Sequence, residues 1–155
     1  MRSTFTELAT LLLGDAKQAK SFMSKAKLHS MEELEDSWWD LYEKLLSTGR
    51  AVELSLKIEL EDFLYNVQKL IHNKNLSTDE NLTGDVSIDT AAFDDSQCIG
   101  DWCAHFNSTW KNHKLVGMDI GTDSLVLMVL SNEEFKRAQE LAKELLHRID
   151  VAERL

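Results

Sequence analysis

Cys98, Cys103 and His105 are the residues of this chain whose types could bind a metal or attack a substrate. Structural zinc sites use a C-x2–4-C pair with a second pair elsewhere, and no second pair exists here. On a helix, the Cys98-x4-Cys103 spacing turns the second sulfur away from the first. Either cysteine could pair on paper with His72, His105 or His113 as nucleophile and base. No nucleophile elbow or papain-like signature surrounds them, and Cys103 falls on an apolar stripe that suits a core thiol. The six glycines form neither a P-loop nor a GxGxxG fingerprint. Glu61 and Asp62 fit a first helical turn, where the helix dipole favours negative charge. We therefore expect no catalytic residue, no metal and no cofactor.

Charge is more informative. The 27 acidic and 17 basic residues leave a net charge of −10. That argues against direct nucleic-acid binding, which wants clustered Lys and Arg. Residues 75–110 hold no Lys or Arg but carry seven acids: Asp79, Glu80, Asp85, Asp89, Asp94, Asp95 and Asp101. They do not follow EF-hand spacing. Two readings stay open: a solvated acidic loop with helix-capping aspartates, or a negative surface that steers a basic protein partner. On the second reading Asp85, Asp89, Asp94, Asp95 and Asp101 are the partner-binding candidates, joined by Thr122 and Asp123.

These residues need elements to position them. The stretch KLVGMDIGTDSLVLMVL (114–130) reads as strands 115–120 and 125–130 around Gly121-Thr122-Asp123-Ser124. Apolar groups on both faces of the second strand place it inside a sheet. Gly121 can supply a positive φ, and Asp123 can bond its own backbone. Upstream, Thr4-x-x-Glu7 reads as a capping box, Asp15 caps a helix over 16–28, and Ser30-x-x-Glu33 opens a third helix that Gly49 stops. Val52, Leu54, Leu56 and Ile58 alternate with polar residues, the pattern of a half-buried strand over 51–58, with a continuous helix as the competing reading. Helical spacing returns over 59–71.

Residues 73–93 read as a long acidic surface loop with a short extended piece at 85–88. A helix then begins near 94–96, with Ile99, Trp102, Cys103, Phe106 and Trp110 inward. Ser131-x-x-Glu134 caps a last helix whose stripe runs through Leu145 to Ile149. Trp38, Trp102 and Trp110 lie on apolar stripes; Trp39 is the one expected at the surface. The predicted fold is a single α+β domain over 1–155. Its small three-stranded antiparallel sheet, with the 115–130 hairpin at the centre, is covered by about six helices. No run approaches the roughly 20 apolar residues of a membrane span, and no basic region beyond Arg2 marks a signal peptide. A cytoplasmic protein is expected.

The segment GMDIGTDSLVLMVL (117–130) resembles the hairpin of a family of uncharacterised small bacterial cytosolic domains. Those have an apolar strand, a Gly/Thr/Ser-Asp-Ser turn, a second apolar strand and a final helix. Gly121, Asp123 and Ser124 are the pointed matches, and VELSLKIELEDFLYNVQKL (52–70) is similar too. The design is also loosely similar to immunity proteins of bacterial contact-dependent and polymorphic toxin systems, small acidic α+β proteins that bind and block a toxin domain. The resemblance implies a non-enzymatic immunity protein whose partner is a basic toxin domain, a nuclease among the candidates. The alternatives are a cytosolic regulatory or scaffold domain and an unrecognised hydrolase.

Overall fold

A computed structural model describes residues 1–76 and 86–155. The central strand is β3 (Leu125–Ser131), and its six apolar residues from Leu125 to Leu130 are all buried. It pairs antiparallel with β2 (His113–Met118) on one side and with β1 (Val52–Leu54) on the other. A fourth strand, β4 (Ile149–Val151), pairs antiparallel with β2 and makes the sheet order β1-β3-β2-β4.

Helices cover both faces, which explains why β3 is apolar throughout. Val116, Met118, Val126, Met128 and Leu130 pack on α1 (Arg2–Leu13), α2 (Ala16–Lys25), α3 (Met31–Ser47) and α6 (Asn132–Glu144). Leu115, Leu125, Leu127 and Val129 face the other way, with Val52 and Leu54, toward α4 (Leu60–Asn73) and α5 (Ile99–Thr109). Gly117 lies on this second face, where an added Cβ would lie 1.9 Å from Leu155 Cδ1 and 3.7 Å from the Ala152 backbone. Its missing side chain lets the C-terminal 3₁₀ turn Ala152–Arg154 cross the sheet.

Several expectations need correction. The sheet has four strands, not three. The last helix stops at Glu144, because Leu146 takes φ 60° and the chain reverses into β4. Ile149 follows Leu145 at helical spacing, so a strand of three residues was hidden in the stripe. The strand over 51–58 is real but short: after Leu54 a turn closes from Ile58 N–H to the Ser55 carbonyl, leaving Leu56 exposed. Thr4 and Glu7 cap nothing, since α1 begins at Arg2. Thr4 instead donates to Glu144 (3.2 Å), and Glu7 takes a bidentate contact from Arg137 on α6 at 2.5 and 2.8 Å.

The start of α5 also moves. Asp94 Oδ1 accepts from Ser96 N–H at 2.8 Å and closes a turn there, so the helix begins at Ile99. Asp101 Oδ2 accepts from the Cys98 N–H at its N-terminus (3.3 Å). Within the expected acidic loop, Val86 is fully buried, and two indoles pin the chain that follows. Trp110 donates to the Ser87 carbonyl (3.2 Å) and Trp102 to the Asp94 carbonyl (3.0 Å).

Candidate partner-binding site

The β2–β3 connection, residues 119–124, is held by its own polar side chains. Gly121 has φ 76°, and Asp119 Oδ1 accepts its N–H at 2.8 Å. Asp119 thus does the work expected of Asp123, which is exposed and makes no side-chain hydrogen bond among the described residues. Thr122 and Ser124 share a hydroxyl contact of 2.9 Å.

Three elements fix this turn from below. Ser124 donates to Glu53 Oε2 on β1, and Tyr42 of α3 donates to Glu53 Oε1 at 2.5 Å. The bonds from Ser124 and then Tyr42 hold the Glu53 carboxyl below the usual carboxylate range. The Glu53 contact, followed by burial, pushes the Tyr42 phenol up to about 12. Trp38 Nε1 donates to the Asp119 carbonyl at 2.9 Å. The His147 ring stacks on Trp38 at 4.3 Å and contacts Glu35 Oε1 at 2.8 Å and the Leu145 carbonyl at 2.7 Å.

Around this rigid base lie two clefts. One of about 310 Å³ is walled by Leu56, Leu155, Thr122 and Asp123. The other, about 280 Å³, is walled by Trp39, Leu146, Glu35 and His147. Asp119, Ile120 and Arg148 belong to both, so the clefts join across the turn. Among the described residues seven large apolar side chains are exposed, and four of them, Trp39, Leu56, Leu146 and Leu155, line these clefts. Single exposed apolar residues are ordinary; a gathering of them around fixed polar groups is how recognition surfaces are built.

The turn residues Thr122 and Asp123 therefore stand at this site. The loop aspartates do not join it by any hydrogen bond among the described residues. Asp89 accepts from Ala91 N–H (3.1 Å), Asp94 from Ser96 and Asp101 from Cys98, all local turn or cap contacts. Asp95 is exposed and makes no side-chain hydrogen bond among the described residues, and Asp85 lies outside them. Trp39 was legible as the exposed tryptophan. Leu56, Asp119, Leu146, Arg148 and Leu155 were not: Leu56 fitted the strand alternation, and Leu146 lay inside the span expected for the last helix.

Chemistry elsewhere is sparse. Cys103 is fully buried, and burial pushes its thiol up to about 12, far from a reactive thiolate. Among the described residues no three His, Cys, Asp or Glu side chains converge to hold a metal ion. A wider cleft of about 440 Å³ between α2 and α3 is lined by Ser21, Lys25, Asp40, Glu43, Lys44 and Ser47; among the described residues no hydrogen bond joins either hydroxyl to a side-chain base, and Ser47 donates to the Lys44 carbonyl (2.8 Å). Among the described residues no helix is long and apolar enough to cross a membrane.

A family model described as a domain of unknown function, DUF6630, matches residues 4–152. No curated protein and no solved structure matches the chain.

Proposed function

The chain belongs to the DUF6630 family, and we propose that this domain is a non-catalytic protein-binding module whose partner seats on the end of the sheet. The observation that carries the reading is the gathering of Trp39, Leu56, Leu146 and Leu155 around the 119–124 turn, beside Asp119 and Asp123. Hot spots combine a tryptophan or similar anchor with a desolvated surround and a polar rim. The base beneath is fixed by Tyr42, Glu53, Ser124 and Trp38, so little order has to be gained on binding.

The specific form we propose is neutralisation of a basic toxin domain in the cytoplasm. The net charge of −10 and the loose similarity of the small acidic α+β design to immunity proteins support it. Wild-type protein and Trp39→Ala, each immobilised, would be compared for what they retain from the native lysate. The reading expects a stoichiometric protein held by the wild type and lost by the variant. A partner held equally by both would move binding off this surface. Co-expression then tests the toxin form: the retained partner should arrest growth alone and not beside the domain.

A further inference from the structure

Resting on that reading, we propose that the groove takes an extended peptide segment in which a lysine or arginine stands between large apolar side chains. Three observations converge. First, the space around the turn is divided into two clefts of about 310 and 280 Å³, each large enough for a bulky side chain. They share Asp119, Ile120 and Arg148, so one segment can enter both. Each cleft carries its own exposed apolar wall, Leu56 and Leu155 in one, Trp39 and Leu146 in the other.

Second, the walls of the clefts carry three carboxylates, Glu35, Asp119 and Asp123, against one guanidinium, Arg148. Arg148 spends Nη2 on Asp150 Oδ2 (3.2 Å) and the Arg154 carbonyl (2.7 Å), and Glu35 Oε1 lies 2.8 Å from His147 Nε2. Asp119 uses Oδ1 on Gly121, and among the described residues neither its Oδ2 nor either oxygen of Asp123 has a side-chain hydrogen bond. A cation crossing the turn meets these two carboxylates and can lie against the exposed Trp39 ring.

Third, Leu146 occupies a position where stability favours another residue. Leu146 N–H bonds the Lys143 carbonyl (3.0 Å) and His147 N–H bonds the Ala142 carbonyl (2.9 Å), the Schellman ending of a helix. That ending requires a positive φ at Leu146, which is 60°, and glycine is the residue that adopts it freely. Leucine there adds no core, because it is 78% exposed. Its side chain is explained as a wall of the groove.

A library of random twelve-residue peptides displayed on phage would be selected against the whole chain, and the best peptide made with a fluorescein label for anisotropy. The expected sequences carry Lys or Arg flanked by large apolar residues. Binding should weaken at least tenfold in Leu146→Gly and in Asp123→Lys, while the melting temperature of Leu146→Gly does not fall. Peptides without a basic residue overturn the proposal; if their binding still drops in Leu146→Gly, the broader protein-binding reading stands. A selection that enriches nothing also overturns it, and the Trp39→Ala lysate comparison then decides the broader reading separately. Self-association of the chain at micromolar concentration, lost in Leu146→Gly, would assign the groove to a second copy and overturn it as well.

Discussion

Tyr42, Glu53 and Ser124 tie α3, β1 and the hairpin turn together through one carboxylate. The sequence shows each residue but not the meeting, since they lie far apart in the chain and meet only through tertiary packing. The arrangement makes two titration predictions. Subtracting the ultraviolet titration of Tyr42→Phe from that of the wild type should leave one phenol ionising at about 12. Its folded value is raised, so stability holds below the ordinary tyrosine value and declines above it as the unfolded chain ionises first. The sign for Glu53 is opposite in pH direction. Its folded carboxyl is lowered, so its contribution is present above about 4.3 and lost as pH falls below that. Urea unfolding of wild type and Glu53→Gln should therefore differ at pH 7, with the gap closing toward pH 3. Glu53 is exposed, so the gap at pH 7 stays within about 1 kcal/mol.

At the scale of elements, local signals were reliable where the partner was local. Ser131 accepts from Glu134 N–H (3.1 Å) while Glu134 Oε1 accepts from Ser131 N–H (2.8 Å), so the capping box read from S-x-x-E is real. Asp15 caps α2 by accepting from Lys17 and Gln18 N–H, and Ser30 caps α3 by accepting from Glu33 N–H, while Glu33 reaches back one residue further, to the His29 N–H (3.0 Å). Thr4-x-x-Glu7 carries the same letters and fails, because Arg137 and Glu144 across the helix interface compete for its side chains. No sequence window holds that information. Nor does one reveal Asn107, whose side chain accepts from Leu115 N–H (2.7 Å) and donates to the Leu115 carbonyl (2.9 Å). It closes the stretch of β2 that the three-residue β4 does not reach. Asn107→Ala should lower unfolding stability by about 1–3 kcal/mol, because it orphans both backbone groups. Ser131→Ala should lower it by about 1 kcal/mol. Denaturant midpoints with unchanged slopes would check both; a loss at Asn107 no larger than at an exposed control would show that water replaces the amide.

At the scale of the molecule, two distinct uses of negative charge can be separated. The net charge of −10 sets a long-range field that accelerates encounter with a basic partner, and salt screens it over about 10 Å. A carboxylate that touches the partner acts at short range and governs dissociation as well. Asp95 and Asp123 are the clean probes, because both are exposed and neither holds a turn or a cap. The acidic run that contains Asp95 was plain in the sequence, whereas the apolar surround of Asp123 depends on where helices end and was not. Once the partner is in hand, stopped-flow association and dissociation rates of Asp95→Lys and Asp123→Lys should part company. Asp95→Lys should slow association severalfold, with the difference vanishing at high salt and dissociation unchanged. Asp123→Lys should slow association and also speed dissociation, and the second effect should persist in salt because the contact is sheltered from solvent in the complex. If Asp95→Lys accelerates dissociation as strongly as Asp123→Lys, the acidic run is itself in contact and the interface extends beyond the end of the sheet.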